Sequence, residues 1–413
     1  MTSKRVFARG PFTVPSFRFQ WPADLLTSWA GEMEGIILGW YIIVATGSVV
    51  LLTLYSSLQF IGTLFSPLFG VIGDRVGARN LLCLMRAAYF AFAATFMSLA
   101  FAGLLNATYV LIVAGAMGLV RSSDLVMRNQ LIGASMPPAL LVGAAGVTRT
   151  TQDSARIAGS LAGAGMFAAL GMGRSYVVIA TLYALSAGLT LGAYRETRGQ
   201  APRRFSPWRE LTEGFVYVWQ TPSAVSAMAL AVLVNFTAFP LSQGLLPYVA
   251  REIYRIDQTG LGFLIASFAT GSLAGSVFLI AAGRFIRPAR MMLISIVGWY
   301  AMLLVFVLFA DAGMAIPVLA IAGLAQSFGM VPMSVILLRT SDDRYRGRVM
   351  GVRMLAVYAL PMGLLSAGAL IERIGFVATA LFYCVLGLGL VALIALRWRG
   401  ELWAIDGAAN RRA

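Results

Sequence analysis

The sequence predicts an all-α membrane protein whose chain crosses the bilayer about twelve times, in two bundles of six transmembrane helices. Three observations carry this. Of 413 residues, 59% are hydrophobic and only 12% are charged, against roughly 25% charged in an ordinary soluble domain. The apolar residues gather in runs of spanning length, since a transmembrane helix needs roughly 20 of them. Finally, the arginines collect in alternate connections. Arg75 and Arg79, then Arg195, Arg198, Arg203, Arg204 and Arg209, then Arg284, Arg287 and Arg290, then Arg339, Arg344, Arg346 and Arg348, each follow an even-numbered run. Loops kept in the cytoplasm carry such an excess. Both termini are therefore expected on that side, and the net charge of +15 reads as a topology signal rather than a nucleic-acid footprint.

Taken in order, the expected spans of the first half are Asp24–Ser48, Val49–Ile72, Asn80–Gly103, Tyr109–Met127, Leu140–Leu170 and Tyr176–Tyr194. The first run is longer than a signal-peptide core and lacks a clear cleavage site, so it reads as a retained helix. Residues 195–221 are rich in Arg, Pro, Ser and Trp and form a cytoplasmic linker with an interfacial helix, whose Phe215, Val216, Val218 and Trp219 suit a membrane surface. The second half is expected to span at Ala224–Val249, Gly260–Ala282, Met291–Leu308, Met314–Leu338, Val349–Ile371 and Phe376–Leu396. The domain plan is thus an N-terminal bundle over 1–194, the linker, and a C-terminal bundle with a cytoplasmic tail over 222–413. Many of the 43 glycines lie inside these runs. Gly159 and Gly163, and again Gly271 and Gly275, are four apart and predict close helix crossings.

Several chemistries are absent. There is no histidine, both cysteines (Cys83 and Cys384) lie inside apolar runs, and no phosphate-binding Gly-Lys-Ser/Thr loop occurs. No metal site, cofactor, ATP-driven step or enzymatic nucleophile is expected. What remains is charge at membrane depth, which costs about 2.5 to 3.5 kcal/mol per group and marks function by default. Glu32 and Glu34 lie in the first span, Arg86 in the third, Arg121 and Asp124 in the fourth, and Arg149, Asp153 and Arg156 in the fifth. The second half offers neutral Asn235, Gln243 and Gln326, with Arg353 and Glu372 near span ends.

Counted from Asp24, Glu32 lies about 12 Å along its helix. Glu34 is turned about 200° from it, so the two carboxyls face different ways. One of them is read as a proton site or the partner of a cationic solute, with a structural bridge to Arg86 as the competing reading; Arg86 and Asp153 complete the proton-or-substrate set. Arg149, Asp153 and Arg156 share one helical face. A cytoplasmic-side latch of Asp124, Arg149 and Arg156, joined to Asp74 and Arg75, is expected to break and reform as the site changes sides.

The connection after the second span reads Gly70-Val-Ile-Gly73-Asp74-Arg75-Val-Gly77-Ala-Arg79. On these residues the chain resembles the major facilitator superfamily, whose loop between helices two and three carries G-x-x-x-D-R-x-G-R-R; Ala78 stands where that family prefers Arg. Gly70, Asp74, Arg75, Gly77 and Arg79 are then its gating motif. A degenerate copy, Gly283-Arg284-Phe-Ile-Arg287-Pro-Ala-Arg290, follows the eighth span without the aspartate. The stretches around Asp342–Gly351 and Leu246–Ala250 look like the branch of enterobactin exporters and macrolide-efflux-type proteins. Ser160 stands where drug/proton antiporters favour proline. The resemblance implies two pseudo-symmetric bundles and a monomer in a bacterial cytoplasmic (inner) membrane. It further implies alternating-access transport of a small amphipathic solute with protons as coupling ion, in the direction of efflux. Import, lysolipid transport and a non-transporting sensor on the same fold are the alternatives.

Overall fold

The computed structural model describes residues 10–65, 69, 72–73, 76–193, 207–282, 287–309, 311–342 and 345–410. Every regular element among them is a helix. We number α1 Pro15–Thr46, α2 Val49–Leu58, α3 Ala78–Phe101, α4 Ala107–Ser135, α5 Leu141–Leu191, α6 Pro207–Gln220 and α7 Pro222–Phe239. There follow α8 Gln258–Ala282, α9 Pro288–Leu308, α10 Ala312–Thr340, α11 Arg346–Leu355, α12 Ala359–Ile374, α13 Phe376–Arg397 and α14 Arg399–Asn410. Each of the twelve expected runs has helix within it. Among the described residues nine helices are long and apolar enough to cross a membrane, and the chain is a multi-pass membrane protein. The first helix is not one of the nine; it is the one that carries Asp24, Glu32 and Glu34.

The boundaries depart from the apolar runs where polar residues continue a helix. α1 begins at Pro15, nine residues before the expected start, because proline suits the first turn of a helix. Asp24 is consequently not an end but a buried interior position. The fifth and sixth expected spans are two helical arms that meet at Gly171, numbered together as α5; the φ of 73° that breaks the helix there is open to glycine at little cost. Asn106 and Asp311 start α4 and α10 by accepting from the amides of Tyr109 (2.9 Å) and Met314 (3.0 Å). After α7 the chain continues through π-helical turns at Pro240–Gly244 and Val249–Ile253.

The chain divides into two compact units: Met1–Gly47 with Leu58–Arg204, and Ser48–Ser57 with Phe205–Ala413. In the first, glycine lets α5 close on α1. A Cβ added at Gly159 would lie 2.9 Å from Cβ of Glu32, and one at Gly163 would lie 2.7 Å from Cα of Met33. In the second, α8 and α10 cross at Gly271, Gly275 and Gly323; Gly271 lies against the Ala320 carbonyl and Gly323 against that of Phe268. Nearly all of α2 clusters with this second unit, where the Ser57 hydroxyl donates to the Pro361 carbonyl at 3.2 Å.

Helix α6 packs on the start of α11 within the second unit. Arg348 pairs with Glu213 at 2.8 Å, and the Tyr217 and Tyr345 rings stack with centroids 4.5 Å apart. Phe215, Val216 and Trp219 are exposed, as a surface-lying helix requires. Val218, expected on that same face, is buried: it sits one residue from Trp219, about 100° around the helix, and turns toward the protein.

Candidate functional site

The polar residues of four first-unit helices face one interior seam, because each helix repeats them at spacings of three, four or seven. On α1 these are Gln20, Asp24, Thr27, Ser28 and Glu34, with Gly31 on the same face; on α3, Arg86 and Tyr89; on α4, Arg121, Asp124 and Arg128. On the arm of α5 beyond Gly171 they are Tyr176, Tyr183, Ser186 and Thr190. Ten residues separate Asp24 from Glu34, so the seam runs about 15 Å along the helix axis.

At the Asp24 end four charges cancel. Arg86 is fully buried, pairs with the Asp24 carboxylate and donates to the Thr190 hydroxyl. Arg128 approaches the same carboxylate at 3.6 Å, pairs with Asp124 one turn away on its own helix, and donates to Ser28 Oγ at 3.0 Å. Gln20 donates to the Arg128 carbonyl at 3.1 Å. Ser186 donates to the Ala23 carbonyl at 2.8 Å and meets the Thr27 hydroxyl at 2.5 Å. Two aspartates and two arginines, all under 6% exposed, are tolerable in a bilayer only because the set is neutral and hydrogen-bonded.

At the other end lies Glu34, 1% exposed. Its carboxyl accepts from the Tyr183 hydroxyl at 3.0 Å and from that of Tyr176 at 3.4 Å. Arg121 faces it, along with Glu32, Tyr89 and Tyr183. The guanidinium reaches this position because Gly31 has no side chain: a Cβ there would overlap Arg121 Nη2. Arg121 also donates to Gln59 at 3.2 Å. Ionised, Glu34 accepts from both hydroxyls; protonated, it donates to one of them, so either form finds partners. That property lets a buried carboxyl carry a proton.

The remaining expected residues are placed as follows. Glu32, with its side chain 33% exposed, lies 3.8 Å from Arg156, which is 39% exposed. Arg149 pairs with Asp153 at 3.2 Å along one face of α5. Arg86 meets neither Glu32 nor Glu34; its carboxylate is Asp24. Of the expected latch, the described residues pair as Asp124 with Arg128, Arg149 with Asp153 and Arg156 with Glu32. The reason is helical phase: Asp124 lies on the α4 face turned to α1 and α3, where Arg128 is its neighbour one turn on. Of the loop motif, Gly77 starts α3 with φ of 92° and its amide donates to the Gly73 carbonyl at 2.7 Å, while Arg79 donates to the Leu191 carbonyl. Gly70, Asp74 and Arg75 lie outside the described residues.

Residues missed by the sequence reading are Asp24, Arg128, Tyr89, Tyr176, Tyr183, Ser186 and Thr190. A scan for apolar runs treats Asp24 as a terminus and passes over hydroxyls. A scan for polar positions at spacings of three and four would have found Arg121, Asp124 and Arg128 on α4 together with Tyr183, Ser186 and Thr190 on α5.

Fold and seam define a polytopic helical membrane protein of the architecture seen in solved transporters. Residues 228–404 match the family model of the Major Facilitator Superfamily. No match was found among curated proteins. Among solved structures, a bacterial homolog of the human lysosomal transporter Spinster, inward-facing and unoccupied, is similar over 97% of each chain at 14% identity, with a TM-score of 0.69. A POT family transporter in complex with a thioalcohol-conjugated peptide is similar over 94% of this chain and 96% of its own, at 11% identity and a TM-score of 0.74. The nucleoside transporter NupG is similar over 94% and 98%, at 16% identity and a TM-score of 0.66. At these identities the likeness shows the fold, and the fold is the major facilitator one.

Proposed function

We propose that this protein is a secondary active transporter that moves a small amphipathic organic solute by alternating access, coupled to protons, in the direction of export. The observation that carries the reading is Glu34: a carboxyl 1% exposed at the middle of α1, held by two tyrosine hydroxyls and faced by Arg121. A transporter driven by a proton gradient needs one group that exists in both protonation states inside the protein, and this environment serves both. The half-exposed Glu32–Arg156 pair is the solute-facing complement. On the same reading, the Asp124 cluster is structural support whose pairings change as access alternates, and the Gly77–Arg79 turn belongs to the gating loop. The protein works as a monomer in a bacterial cytoplasmic membrane, with both termini inside as the arginine distribution indicates.

A second reading, uptake of a small zwitterion, is supported by the same Glu32–Arg156 pair, which offers one charge of each sign at membrane depth. The deciding experiment compares cells with and without the protein across a panel of toxic compounds, siderophores and small zwitterions, with and without a proton uncoupler. Once a solute responds, everted vesicles with an imposed pH gradient test Glu34→Gln. Gradient-driven transport is expected to vanish while solute exchange persists; full gradient-driven transport in the variant would sink the proton role.

A further inference from the structure

Helix α6 has fourteen residues and rises about 21 Å, short of the roughly 30 Å hydrocarbon core of a bilayer, so it lies along a surface rather than crossing. One edge of it is apolar and uncovered. Phe215, Val216 and Trp219 are 52%, 48% and 72% exposed, and the Phe215 and Trp219 rings, one turn apart, stack at 5.9 Å between centroids. The other side of the helix is fixed to the protein. Gly214 lets it close on the backbone of Arg348, whose carbonyl oxygen would lie 2.9 Å from an added Cβ. The Tyr217 hydroxyl donates to the Thr340 carbonyl at 3.4 Å and accepts from the Asp342 amide at 3.0 Å, beside the Tyr217–Tyr345 stack and the Glu213–Arg348 pair. The aromatic edge is thus held out from a rigid platform.

Charge selects what meets that edge. Glu213 is shared by two guanidiniums, Arg348 at 2.8 Å and Arg209 at 2.9 Å, and the Arg209 side chain is 80% exposed. One carboxylate does not neutralise two arginines. Along the chain, residues 195–213 and 339–348 together hold nine arginines against five carboxylates, a net +4. Cations beside an exposed aromatic edge match a bilayer surface that carries anionic headgroups, where rings enter the headgroup boundary and guanidiniums meet lipid phosphates. A free phosphate would meet the arginines and leave the rings in water, whereas a zwitterionic surface would take the rings and leave the excess positive charge unmet. We infer that α6 is a docking helix for anionic phospholipid, with Phe215, Val216 and Trp219 seated in the leaflet and Arg209 holding the headgroup charge. This lies outside the transport reading and holds whichever solute is carried.

The test needs no solute and follows Trp219 in the full-length protein, reconstituted in vesicles of phosphatidylcholine and phosphatidylglycerol. A brominated lipid quenches the indole it touches, and the quenching absent in Trp219→Phe belongs to Trp219. Brominating one lipid at a time gives the relative affinity of the two for the site. Trp219 and Arg209 are exposed, so their substitution leaves the core intact. Phosphatidylglycerol is expected to be preferred, and Arg209→Gln to lower that preference roughly fivefold, the weight of one arginine at an anionic surface. Arg209→Lys keeps the charge and should keep most of the preference. Salt at 1 M shortens the screening length from about 10 Å at 0.1 M to about 3 Å and should erase it. Equal affinity for the two lipids, or a preference untouched by Arg209→Gln, overturns the anionic selection. Absence of Trp219 quenching by either lipid overturns the docking itself and assigns the edge to another occupant.

Discussion

Asp24→Asn tests whether the seam is held by charge balance. In the wild type, Asp24 and Asp124 offset Arg86 and Arg128, and no side chain of the four is more than 7% exposed. The substitution removes one negative charge without changing shape and leaves Arg86, fully buried, with neutral acceptors alone, the Thr190 hydroxyl and the new amide oxygen. Removing one partner of a buried pair costs about 3 to 5 kcal/mol, because the surviving charge stays desolvated. The lower end applies here, about 3 kcal/mol, since Arg128 keeps Asp124. The double variant Asp24→Asn/Arg86→Gln restores neutrality and should recover most of that loss, so the two single effects will not add. Unfolding in mixed detergent micelles, followed by circular dichroism, measures all three. An Asp24→Asn protein within about 1 kcal/mol of wild type, or a double variant less stable than either single one, would refute the reasoning.

Two glycines separate function from packing. At Gly31, an added methyl meets the far end of a flexible arginine, so Gly31→Ala should cost under about 1 kcal/mol yet lower gradient-driven transport by displacing Arg121 from Glu34; wild-type transport would show that Arg121 does not need this seat. At Gly271 the added methyl meets the Ala320 carbonyl of α10, which cannot swing away, so Gly271→Ala should destabilise by about 1 to 3 kcal/mol, read in the same micelle titration.

The fold was legible because the bilayer imposes it. Backbone groups in lipid must pair within their own segment, so an apolar run of spanning length admits a helix and little else, and the twelve runs are visible without any knowledge of packing. Helix ends were less legible, since α1 extends through Arg18, Gln20 and Asp24, residues that end an apolar run without ending a helix. The site was half legible. Glu32, Glu34, Arg86 and Asp124 are conspicuous as charges among apolar residues, but their partners are fixed by the rotation of each helix, and one residue of helical phase moves a side chain by about 100°. That is why a bridge from Arg86 to a glutamate stays open as a competing reading of the sequence, whereas the structure pairs Arg86 with Asp24. Tyrosines 89, 176 and 183 gave no signal of their own, because a tyrosine in an apolar run reads equally well as an interface anchor.

The distribution of buried polarity between the two units gives the seam its meaning. Among the described residues, every buried charged side chain lies in the first unit: Asp24, Glu34, Arg86, Asp124, Arg128 and Asp153. The second unit's buried polar side chains are neutral: Ser272 meets Gln326 at 2.9 Å, Ser327 meets Ser276 at 2.9 Å and Thr237 meets Tyr300 at 2.5 Å, while Asn235, Ser242 and Ser341 donate to carbonyls of their own helices. Neutral pairs of this kind are enough to hold helices together in lipid, and they contribute of order 1 kcal/mol each. A bundle that needed only cohesion would have no reason to bear the much larger desolvation cost of six ionisable groups. The proposed proton coupling would give that cost a use that neutral hydroxyls and amides cannot serve. Binding and releasing a proton is that kind of task, since it requires a group whose charge changes at constant shape, and a fixed set of opposite charges around it to make both states bearable.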